Sequence, residues 1–135
     1  MFAVKPLPDK NAQKELCEML GITYVEESYA YFAADLNGDG SKVESLIGLL
    51  QFTMKEETGE IISLTPFPGK EDDEAMIIME RACMSLMWRS GMKEMIMKET
   101  AGPEAVLKRS GLPIINGVYT VDLDKFFDSP CHYNK

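Results

Sequence analysis

The segment from Gly59 to Lys98 limits the possible folds most sharply. Glu60-Ile-Ile-Ser-Leu-Thr65 reads as a strand and Pro66-Phe-Pro-Gly69-Lys70 as a turn. A helix follows from about Glu71 to Ser90, Gly91 stops it, and Lys93-Glu-Met-Ile-Met-Lys98 reads as another strand. Within the helix Ala75, Met79, Ala82, Leu86 and Arg89 fall at helical spacing, and Met76, Cys83 and Met87 widen the apolar stripe. A helix crossing between two strands of one sheet makes them parallel, joined by a right-handed connection. A strand that enters a helix through a glycine turn is a common anion site. This helix, however, opens on Glu71, Asp72, Asp73 and Glu74, where an anion would have to sit.

The rest of the chain supplies an antiparallel frame. Phe2 to Leu7 is a short strand, and Asp9 caps a helix running to Leu20 with Gly21 as its stop. Ala12, Leu16, Cys17 and Leu20 share one face of that helix. Strands over Ser28–Ala34 and Val43–Met54 flank the turn cluster Asp35–Ser41 and form a hairpin. Lys55–Gly59 turns the chain into the strand at Glu60, completing a meander. Pro103 opens a short helix ending at Ser110 before Gly111. Gly117 to Phe127 gives a last strand, centred on Val118–Leu123, then a polar tail. The sum is a mixed α+β domain over residues 1–128 and a tail over 129–135, the sheet mostly antiparallel with helices on both faces.

Composition narrows the function classes. With 22 acidic and 14 basic residues the chain carries a formal charge of -8, and its densest basic run is Lys108-Arg109. Nucleic-acid binding through the phosphate backbone needs clustered Lys and Arg, so no nucleic-acid partner is expected. The acidic surplus favours a cationic ligand such as a small amine. Cys17, Cys83 and Cys131 lie far apart with no ligand or redox spacing, which suits a reducing cytoplasmic setting. Lys5, Asp9, Lys10 and Lys14 break up the N-terminus, which reads against a secretory signal. No stretch reaches the roughly 18 apolar residues of a membrane span.

The element order resembles the GCN5-related N-acetyltransferase (GNAT) superfamily over about Phe2 to Phe127. Leu64-Thr-Pro66-Phe-Pro-Gly69-Lys70, followed by Ala75-Met-Ile-Ile-Met-Glu-Arg-Ala82, is similar to that family's fourth strand, phosphate loop and central helix. Gly91-Met-Lys-Glu-Met-Ile-Met97 is similar to its fifth strand, and Ala105-Val-Leu-Lys-Arg-Ser-Gly111 to its fourth helix. The resemblance implies an N-acyltransferase using acetyl-CoA or another acyl-CoA. Leu64, Thr65, Gly69 and Lys70 would hold the cofactor, no metal is implied, and a bulge in the fourth strand would open the acyl cleft.

Two positions depart from the family pattern. The loop's Arg/Gln falls on Phe67 or Pro68, and its later glycines fall on Glu71 and Asp73. Glycines there let backbone N–H groups reach the coenzyme diphosphate, whereas a charge repulsion at 4 Å costs about 4 kcal/mol at an effective dielectric near 20. The family's thiolate-protonating tyrosine falls on Leu107, which has no proton to give. These departures support an alternative: a catalytically inactive ligand-binding or protein-interaction module of the same fold, a pseudoenzyme, with a homodimer as one expected form.

Other candidates belong to weaker patterns. Asp35-x-Asn37-x-Asp39-Gly40 matches half of a calcium loop, but position twelve is Leu46 and the same residues suit a hairpin turn. Cys131 and His132 form at most half a zinc site or a dyad in the tail. Tyr24, Tyr29, Tyr31, Tyr119 and Tyr133 are candidate acids, and Glu44 and Glu60 candidate bases, with no catalytic residue singled out. Met84 and Trp88 lie off the helical stripe and would mark a partner surface if exposed together.

Overall fold

The computed structural model describes residues 1–128. The elements are β1 (Phe2–Pro6), α1 (Lys10–Leu20), β2 (Tyr29–Leu36), β3 (Val43–Lys55), β4 (Thr58–Pro66), α2 (Asp73–Arg89), β5 (Glu94–Lys98), α3 (Glu104–Ser110), β6 (Ile114–Ile115), β7 (Val118–Asp122) and α4 (Leu123–Asp128). They build one seven-stranded sheet in the order β1-β2-β3-β4-β5-β7-β6. Every neighbouring pair is antiparallel except β4 and β5, the strands joined by the long helix. The meander, the parallel crossover and the mixed sheet therefore follow the sequence pattern.

Each face of the sheet carries its own core. On one side α1 packs Cys17, with Leu16 and Leu20, against Ala30, Leu49 and Phe67. Asp9 starts this helix by accepting from the amides of Asn11 and Ala12 at 2.9 and 3.2 Å, and Gly21 ends it at φ 70°. On the other side α2 lays Met76, Met79, Cys83, Met84 and Met87 over Leu50, Ile61, Leu64, Met95 and Met97. Val106 and Leu107 of α3 and Leu123 of α4 join that layer.

Met84 is fully buried and Trp88 half-buried, stacked on Phe127 at 5.2 Å, so they belong to the core and the condition for a partner surface is not met. Two expectations need correction. The buried stripe of α2 is centred on Met76, Cys83 and Met87, while Leu86 is half-buried and Arg89 exposed. Residues 123–128 form α4 and do not extend the last strand, because Asp122 turns the chain by accepting from the Lys125 amide at 3.1 Å.

Candidate functional site

The β3–β4 register locates the site. Gln51 pairs with Ser63 but Phe52 pairs with Ile61, so Ile62 is the extra residue of a β-bulge. The β4–β5 ladder runs from Thr58↔Glu94 to Ile61↔Met97 and ends there, at the bulge. Beyond it the strands splay. The gap between Ile62–Pro66 and the β5–α3 loop, Thr100 to Pro103, is a cavity of about 580 Å³ walled on the α1 side by Gly21, Ile22, Thr23 and Val25.

A buried amide network fixes that third wall. Gln51 on β3 donates from Nε2 to the Thr23 carbonyl at 2.9 Å and to Ser63 Oγ at 3.0 Å. Its Oε1 accepts from the Val25 amide at 3.1 Å and from Gln13 Nε2 at 2.8 Å. Gln13, on α1, also donates to Ser28 Oγ at 2.9 Å. Both glutamines are fully buried, so these bonds answer the desolvation cost of their amides. The side chains thereby tie α1, β3 and β4 to the loop that borders the cavity.

Of the expected cofactor residues, Leu64 and Thr65 line this cavity, whereas Gly69 and Lys70 lie outside its lining, in the turn after β4. Leu64 is fully buried, and its N–H donates to the Ala101 carbonyl at 2.8 Å across the splay. Gly102 presses on the same spot: a Cβ there would stand 2.5 Å from the Leu64 carbonyl oxygen. Thr65 is half-buried on the cavity wall. Gly69 turns the chain at φ 80°, and its N–H donates to Glu71 Oε2 at 3.3 Å. Lys70 is exposed beside that turn. Asp72 caps α2 by accepting from the Ala75 amide at 3.0 Å. The helix end thus carries internal carboxylates on donors that a diphosphate would use, with Arg109 at 4.0 Å from both Asp73 and Glu74.

The other candidates scatter. Leu107 is 1% exposed in the α2–α3 core. Tyr24 packs in the α1 core, Tyr119 is buried on β7, and Tyr29 and Tyr31 lie over Phe52 near the end of β1. Glu44 is exposed on β3 and Glu60 half-buried before the bulge. None of these except the Leu64–Thr65 segment borders the 580 Å³ cavity. Asn37 and Asp39 turn their oxygens onto the Ser41 amide, both at 2.9 Å, and the Ser41 bonds hold the Asp39 carboxyl below its ordinary range. Among the described residues no cluster of three or more His, Cys, Asp or Glu could hold a metal ion, and no helix is long and apolar enough to cross a membrane. Tyr133, Cys131 and His132 lie outside the described residues.

Two buried polar features escaped the sequence reading. One is the Gln13–Gln51 network, which periodicity cannot reveal because it joins residues far apart in the chain. The other is Glu80, fully buried among the methionines of α2. Its Oε1 faces Arg81 Nε at 3.4 Å while Oε2 has no partner among the described residues, and burial pushes its pKa up to about 7. Glu80 falls four residues after Met76, so its place in the apolar stripe was the available signal.

No family model and no curated protein sequence matches the chain. Solved structures do. An IAA acetyltransferase from Bacillus cereus ATCC 14579 superposes with a TM-score of 0.62 at 16% identity, covering 86% of this chain and 79% of that one. A GNAT-family chain from Desulfovibrio desulfuricans gives 0.62 at 11% identity over 91% and 99%. A chain from Exiguobacterium sp. 255-15 gives 0.63 at 13% identity over 96% and 99%.

Proposed function

We propose that this chain, which has the GCN5-related N-acetyltransferase fold, is an acyl-CoA-dependent N-acyltransferase with a weakened grip on its coenzyme. The observation that carries this reading is the bulge at Ile62, which ends the β4–β5 ladder and leaves a cavity of about 580 Å³ between the strands. The two halves of the coenzyme fit unequally. The cavity has room for an acyl–pantetheine arm along the Leu64–Thr65 backbone, whereas the acidic turn does not suit the diphosphate.

Magnitudes decide how much this matters. The Leu64–Ala101 bond is one neutral hydrogen bond, worth about 1 kcal/mol net, so a ligand carbonyl can replace it at modest cost. Glu71 is exposed and can swing off the Gly69 amide. Arg109 offsets part of the charge of Asp73 and Glu74, and Lys70 adds another cation beside the turn. The coenzyme is therefore disfavoured without being excluded. In the reaction an acyl group would pass from a thioester to an amine, and the chain's charge of -8 favours a cationic acceptor. No side chain is assigned as acid or base.

The occupied donors favour a second reading, a non-catalytic ligand-binding module that keeps the cavity. Titration calorimetry with acetyl-CoA and with CoA separates the two. A dissociation constant of micromolar order, about -8 kcal/mol, supports the acyltransferase. Absence of heat up to millimolar ligand overturns it and leaves the module.

A further inference from the structure

A second concavity lies at the β1 edge of the sheet, between the β1–α1 connection, β2, β3 and Leu86 of α2, and it shares no residue with the β4–β5 cavity. We propose that it binds a small amphipathic anion: an apolar aryl or medium-chain aliphatic body ending in a carboxylate. This proposal does not depend on what the β4–β5 cavity does.

The shape and lining argue for the apolar body. The cavity measures about 330 Å³, at the lower end of the roughly 300–1,000 Å³ typical of small-molecule pockets. Its walls are carbon from Tyr29 and Tyr31 on β2, Phe52 and Met54 on β3, and Leu86 on α2. Tyr31 stacks on Phe52 at 5.7 Å, and Tyr29 leans over the same ring at 5.5 Å. Tyr29 remains 55% exposed, a large aromatic surface left for a ligand to cover. Neither tyrosine hydroxyl has a hydrogen-bond partner among the described residues.

The charge pattern argues for the anionic head. Lys10 is the one charged residue in the lining, and no carboxylate lines the cavity among the described residues. The Lys10 ammonium is held in place by the Ser28 carbonyl and by Gln13 Oε1 at 3.3 Å, which leaves one of its three donors over. In a chain with 22 acids against 14 bases, a pocket whose one charged lining residue among those described is a lysine is locally inverted. An anion is drawn to it and an ammonium repelled.

The test uses the full 135-residue protein with ¹³C-labelled methionine methyls, titrated with octanoate, octanol and octylammonium. Octanoate is expected to shift Met54 saturably at millimolar concentrations or below, while the buried Met95 stays still. Octanol should bind more weakly and octylammonium more weakly again. Lys10→Met should weaken octanoate about fivefold, the size of one exposed ion pair, and leave octanol unchanged. An undisturbed Met95 signal in that variant confirms that the fold survives, and Leu86→Trp, which fills the pocket, should remove all three shifts. An immobile Met54 at about 10 mM octanoate overturns the proposal. So does equal binding of the three ligands, because Lys10 then selects nothing.

Discussion

Glu80 sets a pH dependence from inside the core. Its carboxyl titrates near 7 in the folded chain because burial penalises the charged form, against about 4.5 when solvated. Between these values the folded state keeps the proton and the unfolded state has lost it, so stability falls as pH rises from about 4.5 to about 7 and then levels off. A shift of this size corresponds to about 3 kcal/mol. Glu80→Gln is therefore expected to flatten the pH profile of urea unfolding over that window and to raise stability at pH 8 by on the order of 1–3 kcal/mol. A wild-type profile without the decline would show that Arg81, 3.4 Å away, keeps the carboxylate ionised. Helical spacing predicted that positions 76, 83 and 87 face the sheet. The same spacing puts position 80 with them, four residues after Met76, but its charge argued for solvent.

At the level of elements the β5–α3 loop controls the splay. Ala101 and Gly102 hold the β4 backbone through the Leu64 N–H and through a contact too close for any side chain. Gly102→Ala would place a methyl 2.5 Å from a backbone oxygen, so the loop must retreat. The expected cost is about 1–3 kcal/mol, seen as a lower denaturant midpoint, together with faster hydrogen exchange at the Leu64 amide. An unchanged Leu64 exchange rate would mean that the loop does not close the strand. The strands, the capped helices and the parallel crossover were all legible, because each depends on local periodicity, caps and turns. The short β6 and α4 were missed: two residues in the first case, and in the second an aromatic pair that strand and helix accommodate equally well.

For the whole molecule the net charge of -8 and the acidic start of α2 act together on any polyanionic ligand. Coenzyme A affinity is expected to rise several-fold from about 10 mM to about 150 mM salt, as screening shortens the reach of the repulsion. Glu71→Gln should raise it at low salt and reduce that salt dependence. An affinity that falls with salt would instead assign control to Lys70. The sequence by itself determined the β2–β4 meander, the parallel β4–β5 crossover, the two-faced sheet and the acidic helix start, since these follow from side-chain pattern and backbone preference within short windows. Only the tertiary structure decided that Ile62 is the bulge, that Ala101 occupies the Leu64 amide, that Gln13 and Gln51 brace the cavity wall, and that Lys10 guards an apolar pocket. Each of these joins residues distant in the chain, and the hydrogen bonds and contacts that fix them exist only once the elements have packed.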